Sequence, residues 1–125
     1  MMMDRKKILL VDDSNTILMM EKMILAKGPY TMVTASNGEE AVAKAESENP
    51  DLILMDVVMP KMDGFEAVRR IRQMATVASV PIIMVTTRGE EHNIEIGYQA
   101  GCTDYVTKPI DGVELIAKLR NYLAQ

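Results

Sequence analysis

Cysteine, histidine and large aromatic side chains are nearly missing from this chain. Its 125 residues include one Cys, one His, one Phe and no Trp. A lone Cys102 cannot close an intramolecular disulfide, and no Cys/His cluster has the spacing of a zinc site. Cys102 therefore reads as a small apolar filler, and His92 as a solvated helix residue. With so few aromatic rings, little is available to sandwich a flat cofactor. No apolar run approaches the ~20 residues that a membrane span needs. Met1-Met2-Met3-Asp4-Arg5-Lys6-Lys7 leads into a short strand, not into the apolar region of a signal peptide, so a cytoplasmic location is expected. A strong charge of either sign is also missing. The formal net charge of -4 gives no general attraction to nucleic acid or to an anionic membrane, so nucleic-acid binding by this chain alone is not expected. No internal repeat or low-complexity segment appears.

What is present is the composition of a soluble globular protein, 48% hydrophobic and 26% charged, of a length suited to one domain covering 1–125. Short apolar runs predict strands at Ile8 to Val11, Thr31 to Ala35, Leu52 to Asp56, Val80 to Val85 and Thr103 to Val106. Helical periodicity fills the gaps. The first helix follows Asp12-Asp13-Ser14-Asn15, with Ile17, Met20, Met23 and Ile24 expected on its inner face, and stops at Gly28-Pro29. Ser36 and Glu39 read as a capping box for the second. The third turns Phe65, Val68 and Ile71 inward and Arg69, Arg70 and Arg72 largely outward. The fourth, Arg88 to Ala100, has the thinnest apolar stripe and is interrupted by Gly89 and Gly97. The fifth opens with Asp111 as N-cap and buries Leu115, Ile116, Leu119, Tyr122 and Leu123. Of the twelve methionines, Met20, Met23, Met32, Met55 and Met84 are expected to be packing residues. Five strands alternating with five helices predict an α/β fold, a parallel sheet with helices on both faces.

The strand ends carry the chemistry. The first strand ends in Asp12-Asp13, the third in Asp56, the fourth in Thr86-Thr87, and the fifth runs into Lys108-Pro109. Ligands bind at that edge of an open α/β sheet. Three carboxylates crowded there repel one another unless a cation neutralises them. A hard divalent ion such as Mg²⁺ suits one or two carboxylates plus a phosphate. Aspartate is itself a covalent acceptor of phosphoryl groups, Lys108 offers a compact positive charge, and Thr86 offers a hydroxyl. Together these are the parts for phosphoryl transfer onto a carboxylate.

The stretches Val11-Asp12-Asp13-Ser14, Asp56-Val57-Val58-Met59-Pro60-Lys61-Met62-Asp63-Gly64, Pro81-Ile82-Ile83-Met84-Val85-Thr86, Gly101-Cys102-Thr103-Asp104-Tyr105 and Lys108-Pro109 extend over essentially the whole chain. In them the chain resembles the receiver domain of two-component response regulators, most of all the stand-alone, chemotaxis-type members. The resemblance implies a doubly wound, flavodoxin-like (βα)5 sandwich with strand order 2-1-3-4-5. It also implies a signalling phosphoacceptor rather than an enzyme acting on outside substrates. Asp56 would be the phosphoacceptor. Asp12, Asp13, Asp56 and the backbone carbonyl of Val58 would hold Mg²⁺ or Mn²⁺. Thr86 and Lys108 would bind phosphoryl oxygens, with Lys108-Pro109 a cis peptide. Thr86 and Tyr105 would form the switch pair, and Val58, Thr87 and Arg88 the rim that sets the lifetime of the phosphorylated form. The implied partners are a sensor histidine kinase or histidine phosphotransfer protein, and a downstream protein target on the face of the fourth helix, fifth strand and fifth helix. Family members often have a polar residue two places after the acceptor and Ala or Gly after the threonine. Val58 and Thr87 stand there in this chain.

Other readings share parts of this pattern. A receiver cut from a longer regulator with an output domain would look the same, as would a receiver-like module that is never phosphorylated. A metal-dependent phosphohydrolase using an aspartyl phosphate would usually place a second acid where Val58 stands. A flavin-binding electron carrier would need a neutral loop after the first strand, where Asp12-Asp13 stands.

Overall fold

The computed structural model describes residues 5–87 and 89–123. Its elements run β1 (Lys6–Val11), α1 (Asn15–Leu25), β2 (Tyr30–Ala35), α2 (Gly38–Glu48), β3 (Leu52–Asp56), α3 (Gly64–Arg72), β4 (Ile82–Thr87), α4 (Glu91–Ala100), β5 (Asp104–Lys108) and α5 (Gly112–Leu123). All neighbouring strands are parallel, in the order β2-β1-β3-β4-β5. This is the expected flavodoxin-like, doubly wound sheet.

Strand periodicity divides the core in two. Alternate residues face opposite sides of a sheet, and each side is closed by its own helices. Ile8, Leu10, Leu52, Leu54, Ile83, Val85 and Val106 pack with Leu18 and Leu25 of α1 and with Leu115, Leu119 and Leu123 of α5. Leu9, Val11, Ile53, Met55, Ile82 and Met84 pack with Ala41 and Ala45 of α2, Val68 and Ile71 of α3, and Ala100 of α4. Each fully buried Leu or Ile contributes roughly 1.5–3 kcal/mol. Continuing the same alternation past the strand ends puts Asp12, Asp56 and Lys108 on the α1/α5 side, whereas Thr86 belongs to the α3/α4 side.

Several local expectations are corrected. In α1 the inward residues are Leu18, Glu21 and Leu25, while Met20 and Met23 are 40% and 67% exposed. The expected inner face did not include Glu21, which is fully buried. The cap of α2 is shifted by one residue: Asn37 accepts from the Glu40 N–H, and Glu40 reaches back to Ser36. Helix α4 begins at Glu91, after Gly89 has taken φ +93. Arg72 is not turned to solvent. Its guanidinium donates to the carbonyls of Gly101, Ala78 and Val80 and to Thr103 Oγ1. Asp111 does cap α5, accepting from the Val113 and Glu114 N–H groups, and Cys102 is buried. No described helix is long and apolar enough to cross a membrane.

Candidate functional site

The C-terminal edge of the sheet opens into a cavity of about 260 Å³ lined by Asp12, Asp13, Asp56, Val58, Thr87 and Lys108, with Ser14, Glu90 and Asn93 completing its polar wall. Strand β1 delivers the acid pair. Its last residue, Val11, is buried, so Asp12 follows at 1% exposure, while Asp13 is exposed. Asp12 Oδ1 accepts from the Ser14 N–H at 2.9 Å, and Ser14 in turn caps α1. That turn locks the acid pair to the start of the helix.

Strand β3 ends on Asp56, whose Oδ1 accepts from the Val57 N–H at 3.0 Å. The loop beyond it is anchored by alternate burial. Val57 and Met59 are buried, and Val58 between them is 73% exposed on the rim. The Gly64 N–H donates to the Val57 carbonyl at 2.8 Å. A Cβ on Gly64 would stand 2.1 Å from the Asp56 carbonyl oxygen, so only glycine lets α3 start this close to the site.

Lys108 enters from the end of β5, at the cis Lys108–Pro109 peptide. Its Nζ lies 3.1 Å from Asp56 Oδ1 and 3.3 Å from Asp12 Oδ2. Burial pushes the Asp56 carboxyl up to about 6, the Asp12 charge adds to this, and Lys108 opposes it. Burial works to lower the Lys108 pKa, but the Asp56 and Asp12 carboxylates outweigh it and the group is raised. Asp12, Asp13 and Asp56 each offer an oxygen within 4.8 Å of the others. The Asp12 Oδ2 atom is buried, and the Lys108 ammonium at 3.3 Å is its one polar partner among the described residues. One lysine facing three acids leaves a net negative pocket of hard oxygen donors, which fits a hard divalent cation.

The structure therefore brings together Asp12, Asp13, Asp56, Lys108, Val58 and Thr87. Thr86 is not in the cavity wall. Its hydroxyl is buried without a hydrogen-bond partner among the described residues, on the far side of the strand from Asp56. Tyr105 is half-buried, with Tyr98 edge-on at 6.3 Å between centroids and the Lys118 ammonium 5.2 Å over its ring. Lys118 also donates to the Tyr105 carbonyl and to Asp104. Arg88 lies outside the described residues.

The sequence reading missed two features here. Glu90 and Asn93 line the cavity as a hydrogen-bonded pair. Their place, Glu90 in the β4–α4 connection and Asn93 in the first turn of α4, at the ligand-binding edge of an α/β sheet, was the available signal. Glu21 of α1 lies deeper. Burial pushes it up to about 8, with Asp12 adding, Lys108 opposing and Asp56 adding. The seven-residue spacing of Leu18 and Leu25 around it was its signal.

Comparison with known proteins follows the same geometry. The family described as response regulator receiver domain matches residues 8–120. The alkaline phosphatase synthesis transcriptional regulatory protein PhoP of Bacillus subtilis is 42% identical over 118 residues, which cover 94% of this chain and 48% of PhoP. The chain thus spans about half the length of that relative. Protein PilH of Pseudomonas aeruginosa is 39% identical over 118 residues, covering 94% of this chain and 98% of PilH. A solved structure of the receiver domain of sensor histidine kinase PA1611 from Pseudomonas aeruginosa, with a magnesium ion coordinated in its active site cleft, superposes with a TM-score of 0.90. The two are 33% identical, and the match covers 98% of this chain and 100% of that one.

Proposed function

The chain belongs to the response regulator receiver domain family, and from that premise we propose that it is a phosphorylation-dependent switch with Asp56 as phosphoacceptor. The observation that carries this reading is the Asp56 carboxylate, held by Lys108 in an open cavity beside Asp12 and Asp13. The phosphoryl group comes from a phosphohistidine on a sensor kinase or phosphotransfer protein. Asp12, Asp13, Asp56 and the Val58 carbonyl would hold Mg²⁺ or Mn²⁺, which supplies charge neutralisation for the transferred group. Asp56 attacks phosphorus through a carboxylate oxygen as the bond from phosphorus to the donor's imidazole nitrogen breaks and the nitrogen keeps the electron pair, and Lys108 moves its ammonium from that carboxylate to a phosphoryl oxygen. Thr86, whose buried hydroxyl lacks a partner among the described residues at a cost of roughly 1–3 kcal/mol, turns to the phosphoryl group. The space it leaves admits the Tyr105 ring and reshapes the face of α4, β5 and α5 that a downstream protein reads. Hydrogen bonds from Thr86 and Lys108 to a charged group are worth roughly 3–6 kcal/mol together. Carrying an equilibrium from 1:99 to 99:1 takes about 5.5 kcal/mol, a figure of the same order.

Acetyl phosphate with Mg²⁺ is expected to add one phosphoryl group to the wild type and none to Asp56→Asn, read by intact mass. Equal labelling of the two proteins would remove Asp56 from the role. A metal-dependent phosphohydrolase is the weaker reading, because the exposed Val58 stands where a second acid would serve the leaving group.

The lifetime of the phosphorylated form follows from the rim. Hydrolysis needs a water in line with the breaking bond, and positioning is the main lever in phosphoryl transfer. Val58 cannot hydrogen-bond such a water, and Thr87 adds bulk beside the group. Decay slower than in fast chemotaxis-type receivers is expected. Val58→Asn should accelerate it by up to about tenfold, a change of ~1.4 kcal/mol in the barrier. Phosphate release followed in time decides this, and a rate no faster than wild type would clear Val58.

A further inference from the structure

The cavity beside Asp56 carries a polar pair that phosphoryl acceptance leaves without a task. Glu90 and Asn93 are half-buried in its wall, alongside Asp56, Val58 and Thr87. The Asn93 side-chain amide donates to Glu90 Oε2 at 2.6 Å, and two backbone bonds fix the segment. The Glu90 N–H donates to the Thr87 carbonyl, and the Asn93 N–H to the Glu90 carbonyl.

Glu90 occupies the N-cap position of α4, yet its side chain makes no capping hydrogen bond. An acid at that position ordinarily satisfies one of the helix's free N–H groups. Here its partner is Asn93 instead. Among the cavity's lining residues it is the one carboxylate outside the Asp12, Asp13 and Asp56 cluster. Lys108 pairs with Asp56 and Asp12, and among the described residues Glu90 has no ion pair. It is thus a carboxylate held in place, uncommitted to cation binding, on the wall shared with Val58 and Thr87. Val58 offers no hydrogen bond, and a threonine hydroxyl is a poor proton acceptor.

We propose that Glu90, oriented by Asn93, binds and deprotonates the water that hydrolyses the aspartyl phosphate. The water oxygen forms a bond to phosphorus as the bond from phosphorus to the Asp56 carboxylate oxygen breaks. The electron pair of that bond returns to Asp56, the water proton passes to Glu90, and inorganic phosphate leaves. Glu90 then gives the proton to solvent. Asn93 is a positioning residue: its amide engages Oε2 and leaves Oε1 to face the water. Glu90 thus sets how long the signal lasts.

This inference rests on the phosphoacceptor reading, and the experiment separates the two. Wild type, Glu90→Gln, Glu90→Asp and Asn93→Ala are loaded with acetyl phosphate and Mg²⁺. The donor is then removed, and decay is followed by intact mass in H₂O and in D₂O. A wild type that never loads overturns the phosphoacceptor reading itself, and this inference with it. With loading established, Glu90→Gln is expected to decay about tenfold more slowly, below the roughly hundredfold or more usual for a lost general base, because a loose transition state asks little of proton transfer. Asn93→Ala should decay more slowly by a smaller factor, and Glu90→Asp should fall between wild type and Glu90→Gln. The D₂O slowing of the wild type should shrink in Glu90→Gln, a change that a purely structural role would not produce. Equal slowing of loading and decay would mean that Glu90 merely shapes the site, and overturns the assignment. So would faster loading with wild-type decay, which would make Glu90 an electrostatic brake on anionic donors.

Discussion

Replacing Glu21 with glutamine is expected to remove most of the fall in stability that the metal-free wild type shows as pH rises from 4.5 to about 8. Glu21 is fully buried on the inner face of α1, and neither of its oxygens has a hydrogen-bond partner among the described residues. Burial is the main cause of its raised pKa, and the Asp12 charge is the second. The folded state therefore keeps the proton to about pH 8, whereas the unfolded chain releases it near 4.5. Between those limits the folded state binds more protons, so stability declines with rising pH and levels off above the folded value. At pH 7 the difference corresponds to about 3 kcal/mol. The Asp56 carboxyl, raised from 3.8 to about 6, adds a decline of the same sign over a lower window, and this part persists in the variant. Glu21→Gln should match the wild type near the acid end and exceed it by roughly 3–4 kcal/mol at the alkaline end. Glu21→Leu also adds apolar burial and should be the more stable protein throughout, with Tm raised on the order of 10 °C at neutral pH. Urea unfolding across this pH range with a chelator present is the measurement. Parallel curves for wild type and Glu21→Gln would show that Glu21 is not the group being titrated.

Arg72→Ala is expected to be destabilising by about 3 kcal/mol, since hydrogen bonds to a charged group are each worth roughly 1.5–3 and some of the freed acceptors regain water. The guanidinium ties the turn after α3 to the connection between α4 and β5. Nε donates to the Gly101 carbonyl at 2.8 Å, Nη1 to Ala78 and Val80, and Nη2 to Thr103 Oγ1. Thr103 Oγ1 also accepts from the Ile82 N–H at 2.9 Å, so the network reaches the start of β4. Burial lowers the Arg72 pKa, but an arginine stays charged regardless. Arg72→Lys should recover little, because one ammonium cannot span acceptors laid out for a planar fork. A denaturation midpoint near that of wild type for Arg72→Ala would mean that water replaces the guanidinium at no cost.

The two largest effects thus come from Arg72, which the sequence reading turned largely outward, and from Glu21, which it passed over. Arg72 follows Arg69 and Arg70 in a polar helix stripe, and it looked equally solvated. Its acceptors, at positions 78, 80, 101 and 103, come from loops that meet only in the folded chain. Glu21 was not among the residues expected on the inner face of the first helix, where an isolated buried acid is costly. The alternative phase, with Met20 and Met23 inward, was equally periodic. Glu90 fell in the helix with the thinnest pattern, where a glycine at positive φ delays the helix start to Glu91.

The strand ends were legible because their signal is local. A buried strand needs an unbroken apolar run, so the residue that ends the run must stand at the rim. That reasoning alone put Asp12, Asp13, Asp56, Thr86 and Lys108 at one edge of a parallel sheet, together with the chemistry their types allow. The strand order came with the family resemblance, since apolar runs carry no record of which strand lies beside which. Only the tertiary structure decided which face each rim residue takes, that Lys108 bridges Asp56 and Asp12 while the Thr86 hydroxyl points elsewhere, and that an acid lies buried under the site. The reason is that burial, pairing and pKa depend on neighbours brought from distant parts of the chain, whose fields no local pattern encodes.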